Sequence, residues 1–258
     1  MQQFKRAKPP FPALTVLADD SLAVHDGQPE HGDDWALANH SERTRTVIVE
    51  DQGWREDALT AARVTTLQAF RDLFSDQLLR PGDDVAINNV TFMFTDLAGS
   101  TALFERIGDA PAYRVVRDHF DVIGAMIREH DGSVVKTLGD GVHAAFSRPD
   151  DAVHCAMAIQ GAFSPNGETP LPIRIGIHSG SSISVTLNDR LDYYGTTVNL
   201  AARLESLSDA NETTLSEKIF SDPAVQETLS NASVRARAVS VRGVDAELTV
   251  HQFSVTDD

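Results

Sequence analysis

The sequence predicts an α+β fold, a βαββαβ sheet with helices on one face. Three observations carry that prediction. From Val85 onward, apolar runs of strand length alternate with longer segments whose apolar residues recur at helical spacing. The turn Gly139-Asp140-Gly141 joins two of the strand-like runs directly, which makes them an antiparallel hairpin with no helix between them. No internal repeat or low-complexity tract interrupts the pattern, so the strands and helices belong to one layered unit.

Taken in order, Val85–Asp96 reads as an apolar strand and Gly99–Ile107 as a short helix. Ala110–His130 is a longer helix with Val116, Phe120, Ile123 and Ile127 on one stripe. Ser133–Leu138 and Val142–Phe146 are the hairpin strands, Asp150–Phe163 is helical, and Pro172–His178 is a strand. A longer excursion, Ser181–Tyr194, leads into a helix from about Thr197 to Leu207. Ala232–Val255 alternates as two final strands about Arg242-Gly243. The core order is that of a ferredoxin-like α+β sandwich.

Before this domain the chain is less regular. Met1–Gln52 is turn-rich, with KPPFP, an acidic patch at Asp33 and Asp34, and an alternating run Thr44–Glu50. It reads as short strands and loops. Between Trp54 and Arg80 the residues Leu59, Ala62, Leu67, Phe70, Leu73, Phe74 and Leu78 mark an amphipathic helix that Pro81-Gly82 stops. That helix either packs on its own domain or meets its copy in a dimer. The expected division is residues 1–82 and 83–258.

Composition bounds the function. At 258 residues the chain can bury a large core, as one large domain or as one domain with a smaller attachment. With 22 Lys and Arg against 38 Asp and Glu, the net charge is −16. Such a field repels nucleic-acid backbones and anionic lipid, so neither is an expected partner. A nucleotide site here needs local cations to offset it. The single cysteine, Cys155, lies in the apolar run AVHCAMAI and reads as a buried thiol. No apolar run approaches the roughly 20 residues of a membrane span. The N-terminus lacks the apolar core of a secretion signal, so a cytoplasmic location is expected.

The chemistry concentrates at two carboxylates. Asp96 ends a strand, and Leu97-Ala98-Gly99-Ser100-Thr101 then opens a helix whose unpaired N–H groups favour anions. Asp140 sits at the hairpin tip, on the same sheet edge. Singly, Asp96 could be a helix N-cap and Asp140 an ordinary turn residue. Together with Lys136 and the residues downstream they make a site for Mg²⁺, a hard cation that takes phosphate oxygens as further ligands. Two such ions can stabilise the attacking and leaving oxygens of an in-line displacement. His143 and His178 lie on strands and read as packing residues.

FTDLAGST, KTLGDGV and DYYGTTVNLAARL resemble the class III nucleotidyl cyclase catalytic domain, the family of bacterial and animal adenylate and guanylate cyclases. The resemblance runs from about Val85 to the C-terminus. It implies that Asp96 and Asp140, with the Leu97 carbonyl, hold two Mg²⁺ or Mn²⁺ ions per active site. It places Gly99, Ser100 and Thr101 at the phosphates and Lys136 with Asp192 at the base. Asn199 falls on the ribose-orienting residue and Arg203 on the arginine that stabilises the pentavalent phosphorus. Arg242 is the candidate for a further phosphate contact. A lysine donates where adenine N1 accepts, and a carboxylate accepts where the 6-amino group donates. Guanine reverses both edges, so the pair points to ATP. Asn199 and Arg203, four apart on a helix, share one face.

In that family the site lies between two domains arranged head to tail, one giving the aspartates and the other the base reader, asparagine and arginine. A homodimer with two equivalent sites is therefore expected. The residues before the domain resemble the end of a regulatory region with its connecting helix. The reading is an adenylate cyclase. A guanylate cyclase is the nearest rival, and a catalytically silent nucleotide-binding regulatory dimer is another. The intact Asp96, Asp140, Asn199 and Arg203 argue against the silent form.

Overall fold

The computed structural model describes residues 13–16, 22–25, 37–39, 60–74, 84–164, 167, 171–187, 190–241 and 247–255. The chain divides into two compact units, Met1–Ala58 and Leu59–Asp258. In the first, β1 (Ala13–Val16) pairs antiparallel with β2 (Leu22–His25) and parallel with β3 (Leu37–Asn39). The run Thr44–Glu50 lies outside the described residues.

The second unit opens with two short helices, α1 (Ala61–Thr65) and α2 (Gln68–Phe74). Where the spacing predicts one long helix, the described part of it is broken at Thr66-Leu67. Thr65 and Thr66 are β-branched, and their hydroxyls bond back to the Ala61 and Ala62 carbonyls at 2.8 and 3.0 Å. The burial is also not the predicted stripe. Leu73 is 67 % exposed, whereas Arg71 is only 6 % exposed.

Next come β4 (Asp84–Leu97), α3 (Ser100–Ile107), α4 (Asp109–Glu129) and the hairpin strands β5 (Gly132–Leu138) and β6 (Gly141–Phe146). They are followed by α5 (Pro149–Phe163), β7 (Ile173–Leu187), β8 (Arg190–Tyr194) and α6 (Thr196–Ser206). The rest comprises β9 (Glu212–Ser216), α7 (Glu217–Phe220), α8 (Pro223–Thr228), β10 (Val234–Val239) and β11 (Leu248–Phe253). The sheet order is β10-β11-β9-β7-β4-β6-β5, with β8 paired to β7. Its centre, β7-β4-β6-β5, is the βαββαβ arrangement predicted.

Because β4 is central, both its faces are buried, and its residues alternate between two cores. Met93 and Leu97 meet α4 and α5 through Val116, Ile123, Ile127, Ala156 and Ile159. Val90, Phe92 and Phe94 point the other way, to Ala201 of α6 and Ala62 of α1. On β7 the isoleucines 173, 175 and 177 join the first core. Gly176, between them, lets α6 lie on the opposite face. A Cβ there would stand 2.0 Å from the Glu205 nitrogen. This close seat fixes α6 against β7, which positions the side chains on its other sides.

Two elements differ from the sequence expectation. The Ser181–Tyr194 excursion is the outer half of β7 with β8, a hairpin carrying Asp192. Its pattern is inverted: Ser182 and Ser184 are buried while Ile183 is 39 % exposed. A serine-rich run with outward isoleucine does not read as a strand by hydropathy. Strand β9 is inserted parallel to β7. Its buried residues are mostly polar and are held by Gln252, whose Nε2 donates to Glu212 Oε2 at 2.8 Å and Thr214 Oγ1 at 3.0 Å.

Candidate active site

Register places the two aspartates side by side. Thr95 pairs with Val142 across β4 and β6, so Asp96 stands opposite the hairpin tip at Gly141. The tip is pressed hard against β4. A Cβ on Gly141 would lie 2.2 Å from the Thr95 carbonyl oxygen, so only glycine lets Asp140 come this close to Asp96. Asp140 acts on Asp96 by charge and by hydrogen-bonding proximity. Burial raises the Asp96 carboxyl above the usual aspartate range, Arg174 opposes this, and Asp140 adds to it. Among the described residues Asp140 Oδ2 is buried with no hydrogen-bond partner. Two adjoining carboxylates, one with an orphaned oxygen, suit a hard divalent cation. No group of three or more His, Cys, Asp or Glu side chains among the described residues is placed to hold a metal. A cation held by this pair of carboxylates would draw its other ligands from backbone, water or substrate oxygens, which is the manner of Mg²⁺.

After Leu97 the chain turns into α3. Gly99, with φ of 80°, stands at the N-cap position and makes no side-chain cap. The first-turn N–H groups at Ser100 and Thr101 lack intrahelical acceptors and remain open to an anion. A cavity of about 330 Å³ lies here, lined by Leu97, Gly99, Ser100, Leu103 and Pro172.

Lys136 and Asp192 form a second group. Lys136 Nζ donates to Asp192 Oδ2 at 2.6 Å, and Asp192 Oδ1 accepts from the Tyr193 N–H at 2.8 Å. Asp192 is 5 % exposed. The Lys136 side chain is 38 % exposed, so the pair has a fixed acceptor and an accessible donor. Among the described residues no hydrogen bond or ion pair joins this group to Asp96 or Asp140.

On α6, Thr197, Ala201 and Leu204 are buried. Asn199 is exposed and Arg203 half-buried, and neither side chain makes a hydrogen bond or ion pair among the described residues. Arg242 lies outside the described residues. His143 is fully buried and stacked on Phe94 at 4.3 Å, with burial pushing it down to about 3. His178 Nδ1 lies 2.8 Å from Ser216 Oγ. Both are packing groups. Cys155 is buried, and burial pushes its thiol up.

A model of the adenylate and guanylate cyclase catalytic domain matches residues 84–255. The chain belongs to this family. It is 31% identical over 137 residues to adenylate cyclase 1 of Rhizobium meliloti (strain 1021), covering 46% of this chain and 21% of that protein. Adenylate cyclase of Anabaena cylindrica is 27% identical over 182 residues, covering 63% of this chain and 36% of that one. The chain thus spans about a third or less of the length of these relatives. Among solved structures, the adenylyl cyclase CyaB from P. aeruginosa superposes with a TM-score of 0.58 at 22% identity, covering 68% of this chain and 97% of that one. That likeness is one of fold.

The cyclase domain carries two site residues that sequence reasoning passed over. Arg174 Nη2 donates to Asp96 Oδ2, and Arg174 Nε lies 3.3 Å from Glu205 Oε1. The second contact is an ion pair that is off-line for a hydrogen bond, since both atoms remain unsatisfied as hydrogen-bonding groups. A charged residue alternating with three core isoleucines on β7 was the available signal for Arg174. Glu205, two residues after Arg203, showed no signal in the sequence.

Glu205 is raised to about 7 by burial first, then by Asp96, with Arg174 opposing. The sign follows from linkage. The folded state holds this proton above the pH at which the unfolded chain has lost it, so stability falls as pH rises between about 4.5 and 7. Glu205→Gln is expected to flatten the decline of Tm over that window in metal-free protein, read by thermal unfolding. An unchanged slope would contradict the assignment.

Proposed function

We propose that the chain is an adenylate cyclase that converts ATP to 3′,5′-cyclic AMP and pyrophosphate at sites shared by two copies arranged head to tail. The observation that carries the base choice is the Lys136–Asp192 pair, one donor and one acceptor held 2.6 Å apart. Adenine offers the complementary edge, an acceptor at N1 and a donor at the 6-amino group. The adenylate cyclase names of the relatives from R. meliloti and A. cylindrica support the same reading.

Geometry on α6 supports the shared site. Glu205 turns toward Arg174 and Asp96. Arg203 is two residues earlier, about 200° around the helix, so it faces away from the aspartates of its own chain. Asn199, one turn before, faces the same way. Both are free to serve the aspartates of a second copy.

Asp96, Asp140 and the Leu97 carbonyl would hold Mg²⁺ or Mn²⁺, which supplies Lewis-acid stabilisation of the phosphate oxygens when bound. The N–H groups of Ser100 and Thr101 receive the phosphates, and Lys136 and Asp192 fix the adenine. Asn199 orients the ribose so that its 3′-oxygen faces the α-phosphorus. The new 3′-O–P bond forms as the bond to pyrophosphate breaks, and the hydroxyl proton leaves to solvent. Arg203 meets the charge that builds on the phosphorus oxygens. Residues 1–82 are read as a regulatory region of a cytoplasmic signalling enzyme. No helix among the described residues is long and apolar enough to cross a membrane.

Purified protein incubated with ATP or GTP and either metal, across protein concentration, tests this. Cyclic AMP in excess of cyclic GMP, with specific activity rising as dimer forms, is expected. Equal or greater turnover of GTP would refute the base assignment.

A further inference from the structure

The helical pair α1–α2 touches both strands that carry the base-reading residues, and it does so through polar contacts. Helix α1 ends at Thr65, so the Thr65 carbonyl has no intrahelical partner. Two buried groups use it: Arg71 Nη1 donates to it at 3.1 Å and the Tyr193 hydroxyl at 2.9 Å. Arg71 Nη2 donates to the Leu191 carbonyl. The guanidinium carbon also lies over the Tyr193 ring, 5.5 Å from its centroid. Leu191 and Tyr193 are the immediate neighbours of Asp192, so strand β8 is gripped on both sides of the carboxylate. On the other strand, Gln68 Oε1 accepts from the Val134 N–H of β5 at 2.8 Å, two residues before Lys136.

We propose that Arg71 is a positioning residue for base recognition: by holding the Leu191 carbonyl on one side of Asp192 and the Tyr193 ring on the other, it sets how strongly the Lys136–Asp192 pair prefers adenine to guanine. The inference rests on reading that pair as the base reader. Arg71 is 6 % exposed and does not itself reach a ligand. Its positive charge attracts the Asp192 carboxylate, which helps hold that side chain in place when Lys136 turns to a base. A guanidinium spans two carbonyls and a ring at once, which an ammonium cannot do. Because these contacts depend on the break between α1 and α2, any shift of residues 60–74 is transmitted to the base pocket.

The test compares wild type, Arg71→Lys, Arg71→Met and Lys136→Ala for kcat and KM with ATP and with GTP, alongside Tm. Arg71→Met is expected to lower the ATP-to-GTP ratio of kcat/KM by about tenfold, the scale of one lost hydrogen bond. The change should lie in KM for ATP, with kcat within about threefold. Arg71→Lys should fall between the two, because charge and one contact survive. If Arg71→Met does not fold, the ratio in Arg71→Lys decides alone. A lowered Tm with an unchanged ratio in the folded Arg71 variants, while Lys136→Ala shifts it, would overturn the inference alone. A wild type that turns over neither nucleotide, or a Lys136→Ala ratio equal to wild type, would overturn the base-reader assignment and this inference with it.

Discussion

Asp96→Asn and Asp140→Asn proteins are expected to form no cyclic nucleotide above the no-enzyme background while folding as wild type does. Each replaces one of two adjoining carboxylates with a neutral amide, and the remaining single negative charge is too little to hold a divalent cation against a triphosphate in water. The fold is expected to survive the loss of either charge. Asp140 Oδ2 has no hydrogen-bond partner among the described residues, so its loss breaks no contact at that atom. Asp140 also raises the Asp96 carboxyl through repulsion. A raised acid costs stability as pH climbs through its folded pKa. Asp140→Asn is therefore expected to leave Tm at neutral pH unchanged or higher, measured without metal. Asp96→Asn frees Arg174 from its partner, and Glu205 remains beside it to hold the charge. A variant that keeps measurable turnover, or that loses activity only because it unfolds, would count against these aspartates as cation ligands.

Arg203→Ala is expected to lower kcat by about 10²–10³, the loss typical of a donor aimed at developing charge. KM for ATP should change far less, because the charge that Arg203 meets appears in the transition state rather than in bound ATP. Arg203 makes no ion pair among the described residues, so truncation leaves no buried partner unsatisfied. Tm should stay near wild type. A proportional rise in KM with unchanged kcat would instead make Arg203 a ground-state phosphate contact.

The frame of the candidate site was legible in the sequence because its signals are local. Apolar alternation marked β4 and β6, and the glycine-flanked turn marked Asp140. Helical spacing set Asn199 and Arg203 on one face of α6. What escaped has a common physical cause, the burial of polar groups. Strand β9 and the outer half of β7 bury threonines and serines that hydropathy assigns to loops. Arg71 sits in an apolar-looking helix, yet it is the residue buried, because two backbone carbonyls and an aromatic ring await its guanidinium. The single long helix expected before β4 is interrupted by two threonines whose hydroxyls compete for helix carbonyls. Arg174 and Glu205 could be joined to Asp96 only in three dimensions, since they lie on two different elements 31 residues apart in number, as 205 minus 174.

The division of labour between two copies is tested most directly by mixing Asp96→Ala protein with Arg203→Ala protein, each inactive or nearly so alone. A head-to-tail dimer of one with the other rebuilds one complete site. In an equal mixture about half the dimers are mixed, which restores about a quarter of wild-type activity. Activity that stays at the sum of the two separate proteins, under conditions where mixed dimers are shown to form, would contradict a site composed from two chains.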